Sequence, residues 1–512
     1  MLRRSFKRWI NLPSSKEALP FSLPPNYKPN KRVVKHLPWT KCMEIWLRSF
    51  QKGMVQTLQN KLVELQVNPA KYVNHDIRWE NKKVAVDEQG NWINEIVFEL
   101  KSQQDKPVKH VVFLHGYGAA LGCFARNFQL INLFKDTHYN YKIHFLDNIT
   151  FGLSSNPKMA NDPLNHNWVE KCAPIKVIDN DLPTDSKKLY KKYYKLVDEY
   201  HVDTERFEEY QATFKPIVKL LEDFYCGAID LWRKNSGIEK IDYLIGHSYG
   251  GYWSGSYAVR YPDNFQNLVL LSPVGVERHC HAVTNNLLRN EGAQITNDET
   301  LVSLKPSLDP TSYNFLSRIP ILGLKHINYW YYVQPFLPRL LKWLGPWGVQ
   351  KYYQMWYLKL FKINKVINSL GGGAKLFKSE NDLVYGTNTE VRLLIEYLYN
   401  TTIQGSNSDI YIKHLLTPST VSKWPLYDKY FQYFQNGHKF RDDQKITVAY
   451  GQFDFMNAEA GEKLIQLIQH NMVTPQNAKV VSIREGGHNL YIDNPFDTNT
   501  LLHLIVAADD NL

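Results

Sequence analysis

The chain has 512 residues, a net charge of +11 and a pI of about 9.0. It is long enough to bury a large core, and with 44% hydrophobic and 22% charged residues it reads as a folded protein and not a disordered one. Five scattered cysteines (Cys42, Cys123, Cys172, Cys226, Cys280) without C-x-x-C spacing argue against a disulfide framework or zinc site and suit an intracellular compartment. There is no run of about 18 apolar residues, so a membrane-spanning helix is not expected. The positive charge favours an anionic partner; with no recognisable nucleic-acid module, a phospholipid is preferred over nucleic acid.

Residues 1–38 form a basic tail and a proline-containing linker. Arg3, Arg4, Lys7 and Arg8 precede the first acid, Glu17, and lie largely opposite Leu2, Phe6, Trp9 and Ile10 on a helical wheel. Such an arginine-rich, acid-poor start has the character of a mitochondrial presequence. Residues 41–65 carry Met43, Trp46, Leu47, Phe50, Met54, Leu58, Leu62 and Leu65 at steps of three or four, which predicts a helix packed on the domain. Residues 76–100 alternate as an antiparallel hairpin. Lys109–Leu114 is a buried strand ending in His115-Gly116-Tyr117-Gly118, a turn that can aim a backbone N–H into a site above the sheet. A further strand is expected at 141–147.

Residues 158–203 read as a polar surface insertion within the first core segment, 39–277. Lys187–Lys195 mixes cations with tyrosines and suits either a solvated helix face or anionic headgroups. A helix over 207–235 feeds the strand Ile241–Ile245, and another strand follows at 267–277. This alternation predicts a mostly parallel, doubly wound sheet. It then stops until Ile446. The interval 278–445 is expected to be a lid, aromatic and basic, in which Trp343, Trp347, Tyr352, Tyr353, Trp356 and Tyr357 are interleaved with Arg339, Lys342, Lys351 and Lys359. Those aromatics suit either internal packing or the wet edge of a bilayer. Residues 446–512 complete the core.

The chemistry concentrates at three places. Gly246-His247-Ser248-Tyr249-Gly250 fits G-x-S-x-G, the strand-to-helix turn that exposes a serine hydroxyl; the glycines at 246 and 250 avoid collision with neighbouring elements. Asp454 follows the strand 445–451, where a triad acid belongs. His488 follows Gly486 and Gly487 on the loop after the strand 478–483. The order Ser248, Asp454, His488 is that of the α/β-hydrolase fold. The backbone N–H groups of Tyr117 and Tyr249 are the candidate oxyanion hole, with Gly118 the alternative to Tyr117. The chemistry needs neither metal nor organic cofactor.

With these residues in view, the chain resembles one lipase branch of the α/β hydrolases. The resemblance is carried by His115–Gly118, Gly246–Gly251, Leu271–Gly275, Tyr450–Met456 and Gly487–Asp493. That branch contains the yeast mitochondrial cardiolipin-specific deacylase, yeast lysophosphatidic acid acyltransferase relatives and the mammalian lipid-droplet co-activator of triglyceride lipase. The co-activator lacks the nucleophile that Ser248 supplies here, so the resemblance implies active hydrolysis of a phospholipid, cardiolipin above all. The basic N-terminus matches the mitochondrial member best, which implies peripheral attachment to the matrix side of the inner membrane. His488 and Asp493 also form H-x-x-x-x-D, linked in the family to acyl transfer; an acyl-CoA-dependent lysophospholipid acyltransferase and a non-enzymatic lipid-binding adaptor are the rival expectations.

Overall fold

The computed structural model describes residues 36–67, 76–101, 106–134, 138–159, 173, 175–178, 199–298, 300–315, 337–361, 385–417 and 420–510. The presequence-like residues 1–35, the Lys187–Lys195 run and the aromatics Tyr329 to Phe336 lie outside them.

Eight strands form the central sheet: β1 (Asp76–Ala85), β2 (Trp92–Lys101), β3 (Val108–Leu114), β4 (Asn140–Leu146), β7 (Ile241–His247), β8 (Phe265–Leu271), β11 (Lys445–Gly451) and β12 (Ala478–Ile483). Their order is β1-β2-β4-β3-β7-β8-β11-β12. β1 and β2 make the expected hairpin, β2 runs antiparallel to β4, and every pair from β4 to β12 is parallel. The central strands are near-continuous apolar runs because both faces are covered. Alternate side chains sort to opposite layers. Phe113, Tyr243 and Ile245 face a layer built from Leu121–Phe134, Asn388–Gln404 and the C-terminal helix; Leu114 and Leu244 face Thr204–Asn235, Tyr249–Arg260 and Ala458–His470.

The helix expected over 41–65 is two helices, Trp39–Arg48 and Met54–Gln66. The break falls at Gly53, whose φ of 79° is a left-handed conformation that a helix interior does not contain. The first packs beside the lid, where Trp46 Nε1 donates to the Lys342 carbonyl at 3.0 Å and Arg48 pairs with Glu396 at 3.3 Å, and the second lies against Asn388–Gln404.

The interval 278–445 contains helices, among them Pro346–Phe361, Asn388–Gln404 and Ser408–Leu415, and also two short strands, β9 (Gln294–Ile295) and β10 (Leu301–Leu304). These join β5 (Ile175–Ile178) and β6 (Glu199–Asp203) in a four-stranded sheet of order β5-β6-β10-β9. Part of the polar insertion 158–203 is thus paired to the lid. Tyr200 and Val202 alternate with His201 and Asp203, a short period-two pattern that the surrounding charge hides.

Candidate active site

Ser248 sits between β7 and the helix Tyr249–Arg260 with φ 52° and ψ −110°, a backbone state that L-residues rarely adopt. The neighbours explain how it is held. The Ser248 amide donates to Leu271 O at the end of β8 (2.9 Å), and its carbonyl accepts from Tyr252 N (2.9 Å) and Val274 N (3.2 Å). A Cβ on Gly246 would lie 2.3 Å from Ser254 Oγ and 2.5 Å from Gly250 O; one on Gly250 would lie 2.4 Å from Leu114 O. Both glycines are required by close approach of backbone.

Asp454 and His488 reach the serine from the ends of β11 and β12. His488 Nε2 is 2.9 Å from Ser248 Oγ, and His488 Nδ1 is 3.2 Å from Asp454 Oδ1. Since a carboxylate only accepts, Nδ1 carries the proton and Nε2 is the basic nitrogen facing the hydroxyl. Burial opposes charge on Asp454. The hydrogen bond and positive potential of His488 nevertheless hold its carboxyl below the ordinary range, with smaller help from the Met456 amide and the Ser272 hydroxyl. Asp493 Oδ2 accepts the Gly487 amide at 2.9 Å, bracing the His488 loop. A Cβ on Gly451 would lie 2.3 Å from Gly487 O, so β11 abuts the same loop.

The His115–Gly118 turn lies against the nucleophile: a Cβ on Gly116 would be 3.1 Å from Ser248 Cβ. Gly118 has φ 66°. His115 is structural. Its Nε2 accepts from the Asn148 amide (3.0 Å), so its Nδ1 proton donates to Gly116 O (2.7 Å). Burial lowers its pKa to about 4, which keeps it neutral although Asp147 Oδ1 lies 3.9 Å away. Tyr249 opens its helix, where the first N–H groups have no intrahelical acceptor. The Tyr117 and Tyr249 rings meet at 6.2 Å in an edge-on pair.

Several neighbours have contacts that the sequence does not show. His247 donates Nε2–H to the His488 carbonyl at 2.9 Å. Burial and the nearby His488 lower its pKa to about 3. Ser272, at φ 46°, anchors the end of β8 to Ala449 O (2.7 Å) beside Asp454. The Tyr117 hydroxyl donates to Asp409 on the lid helix Ser408–Leu415 at 2.5 Å, while burial raises the Asp409 pKa and lowers that of Lys413 to about 8. The Phe455 ring lies 4.5 Å from that of His488 at a tilt of 46°, and both Phe453 and Phe455 are exposed. His247, Ser272 and Phe455 lie within motifs already described, but their contacts, like that of Asp409, depend on segments that meet only in the fold.

Among the described residues, one group could hold a metal ion: His279, Cys280 and His281, all buried, with ligand atoms within 4.8 Å of one another. His281 Nδ1 already accepts the Ala173 amide. The relay at Ser248 draws on none of the three.

Comparison with known proteins agrees with this architecture. Residues 109–300 match the family model described as the alpha/beta hydrolase fold. The chain is 27% identical to Protein ECM18 of Saccharomyces cerevisiae over 388 residues, covering 76% of this chain and 68% of that one. It is 24% identical to the 1-acylglycerol-3-phosphate O-acyltransferase ICT1 of the same yeast, covering 79% and 83%. It is 21% identical to the human 1-acylglycerol-3-phosphate O-acyltransferase ABHD5, covering 85% of each. With the sheet order and the nucleophile turn, the chain has the α/β-hydrolase fold, and its sequence is similar to those of ECM18, ICT1 and ABHD5.

Proposed function

We propose that this chain is a lipid-metabolising serine hydrolase that removes a fatty acyl chain from a phospholipid, with cardiolipin as the substrate, in remodelling at the matrix face of the mitochondrial inner membrane. The observation that carries the hydrolytic part is the relay itself: Ser248 Oγ 2.9 Å from the basic nitrogen of His488, with Asp454 behind it. The lipid part is supported by the exposed Phe453 and Phe455 beside His488, which suit an acyl chain, and by relatives whose names concern acylglycerol phosphates. The headgroup and location are supported by the net charge of +11, the presequence-like residues 1–16 and the family resemblance.

In this mechanism Ser248 Oγ attacks the ester carbonyl while His488 Nε2 takes its proton. The Tyr117 and Tyr249 amides hold the oxyanion; one such donor is typically worth on the order of 100-fold or more in rate. The ester C–O bond breaks, and His488 returns the proton to the departing lysolipid oxygen. His488 then deprotonates water, which attacks the acyl-serine and releases the fatty acid. Asp454 keeps the imidazole in the tautomer this needs and stabilises the imidazolium.

A second reading, transfer of the acyl group from acyl-CoA to a lysophospholipid, is favoured by the printed names of ICT1 and ABHD5 and by the His488–Asp493 spacing. The Asp493 bond to Gly487 is a bracing contact that serves either acceptor. Purified protein is to be given acyl-labelled cardiolipin, and separately acyl-CoA with lysophosphatidate. Free fatty acid dependent on Ser248 supports hydrolysis; acyl transfer with negligible fatty acid overturns it.

A further inference from the structure

Two segments far apart in sequence build one face of the molecule. The helix Trp39–Arg48 packs on Pro346–Phe361, with Cys42 Sγ 3.0 Å from Gln350 Oε1. Their inward sides are complete: Cys42, Ile45, Val349, Tyr352 and Tyr353 are buried. Their outward sides are not. Trp343 is 89% exposed and Trp347 57%, with Leu47, Phe50, Leu340 and Leu344 also exposed. Single exposed apolar residues are ordinary, but a contiguous group with two indoles marks an interaction surface.

The same face is cationic. Residues 337–361 contain Arg339, Lys342, Lys351 and Lys359 and no Asp or Glu. Lys342 Nζ lies 4.7 Å from the Phe50 ring centre and Lys351 Nζ 5.0 Å from that of Trp347, so amine and ring are presented side by side. A second copy of the chain would set these cations against themselves. Protein interface cores are depleted in lysine. An anionic bilayer accepts both groups at once: indoles settle at headgroup depth, and cations gain from the surface potential.

We propose that this face docks the protein on an anionic phospholipid bilayer, Trp343 and Trp347 entering the headgroup layer and Lys342 and Lys351 pairing with phosphates. Docking is superficial, since no helix among the described residues is long and apolar enough to cross a membrane. The face is wired to the site. Arg126, fully buried, donates to Leu360 O in the docking helix (3.0 Å) and to Ile492 O just beyond the His488 loop (2.7 Å). The inference deepens the lipid-hydrolase reading by naming the surface from which that site would be fed.

The test is co-flotation of the full chain with phosphatidylcholine vesicles, with and without phosphatidylglycerol, alongside hydrolysis of a soluble short-chain ester. Wild type is expected to float with the anionic vesicles, less so at high salt. W343S/W347S should weaken partitioning on the order of 10-fold per indole, and K342E/K351E by about 10-fold or more. Neither should change the soluble-ester rate. Wild type indifferent to anionic lipid, variants that float as wild type does, or a solution dimer dispersed by W343S/W347S would each overturn the proposal. Vesicle binding without any ester hydrolysis would instead sink the catalytic reading and leave the docking face standing.

Discussion

The imidazole of His247 donates its Nε2 proton to the backbone carbonyl of His488 at 2.9 Å, so the residue before the nucleophile holds the loop that carries the general base. Ser248 and His488 are therefore joined twice, once through the relay and once through the neighbouring backbone. His247→Ala removes the donor to a half-buried carbonyl and should lower kcat about 10-fold or more, with a stability loss of about 1 kcal/mol. His247→Asn retains a donor and should recover part of kcat. Equal kcat for wild type and His247→Ala would show that the loop is held elsewhere.

Replacing the nucleophile is the direct test of the relay. Ser248→Ala should reduce acyl release by about 1,000-fold or more, leaving the fold intact. It should also abolish labelling by a fluorophosphonate probe. Residual turnover near wild type would remove Ser248 from the chemistry.

Acid should destabilise the protein before it protonates Asp454. Burial keeps His115 and His247 neutral in the fold, with pKa values of about 4 and about 3, and holds His281 well below its ordinary value. The unfolded chain binds these protons near pH 6.5, so stability is lost as pH falls from there toward the folded values, by up to about 1.4 kcal/mol per unit for each ring. Asp147 acts with the opposite sign. Burial raises its pKa to about 6, so its protonation between pH 6 and 4 returns some stability. Burial also raises Asp242, Glu396 and Asp409, which add to that gain, but the three rings together with His110, held at about 3 by burial, outweigh these carboxyls, and urea midpoints should fall from pH 7 to pH 5. A flat or rising profile would contradict the neutral assignment. Asp454 adds its own loss only at lower pH, because its folded pKa is depressed.

Arg126 and Glu390 form a buried bidentate pair, at 2.7 and 2.8 Å, between the layer after β3 and the lid helix Asn388–Gln404. Arg126→Met alone strands a carboxylate and should cost about 3–5 kcal/mol, read as a shifted urea midpoint. Arg126→Met with Glu390→Met should recover most of that loss. A double variant as unstable as the single one would mean that the Leu360 and Ile492 carbonyls, and not the ion pair, dominate.

Gly250→Ala should fail to give soluble protein, because its Cβ would stand 2.4 Å from the Leu114 carbonyl and cannot be relieved without moving β3. Gly90→Ala, in the β1–β2 turn with open space around it, serves as the control; it should cost only about 1–2 kcal/mol for its φ of 80°. Soluble, active Gly250→Ala would show that the turn relaxes.

Some of this molecule is determined locally and could be read from the chain alone. A parallel strand covered on both faces must be apolar throughout, so β3, β7, β8 and β11 announce themselves. A serine on a sharp turn must be flanked by glycines, so Ser248 does too, and Asp454 and His488 follow from their places after strand ends. The pairing of β6 with β10 and the roles of His247, Asp409 and Arg126 were decided only by tertiary structure. Each depends on partners tens to hundreds of residues away, and a buried polar group shows in its own sequence neighbourhood no trace of which distant carbonyl or carboxylate will satisfy it. The lid aromatics make the same point: Tyr352 and Trp347 lie five residues apart in one helix, and only packing sends the first inward and leaves the second facing out.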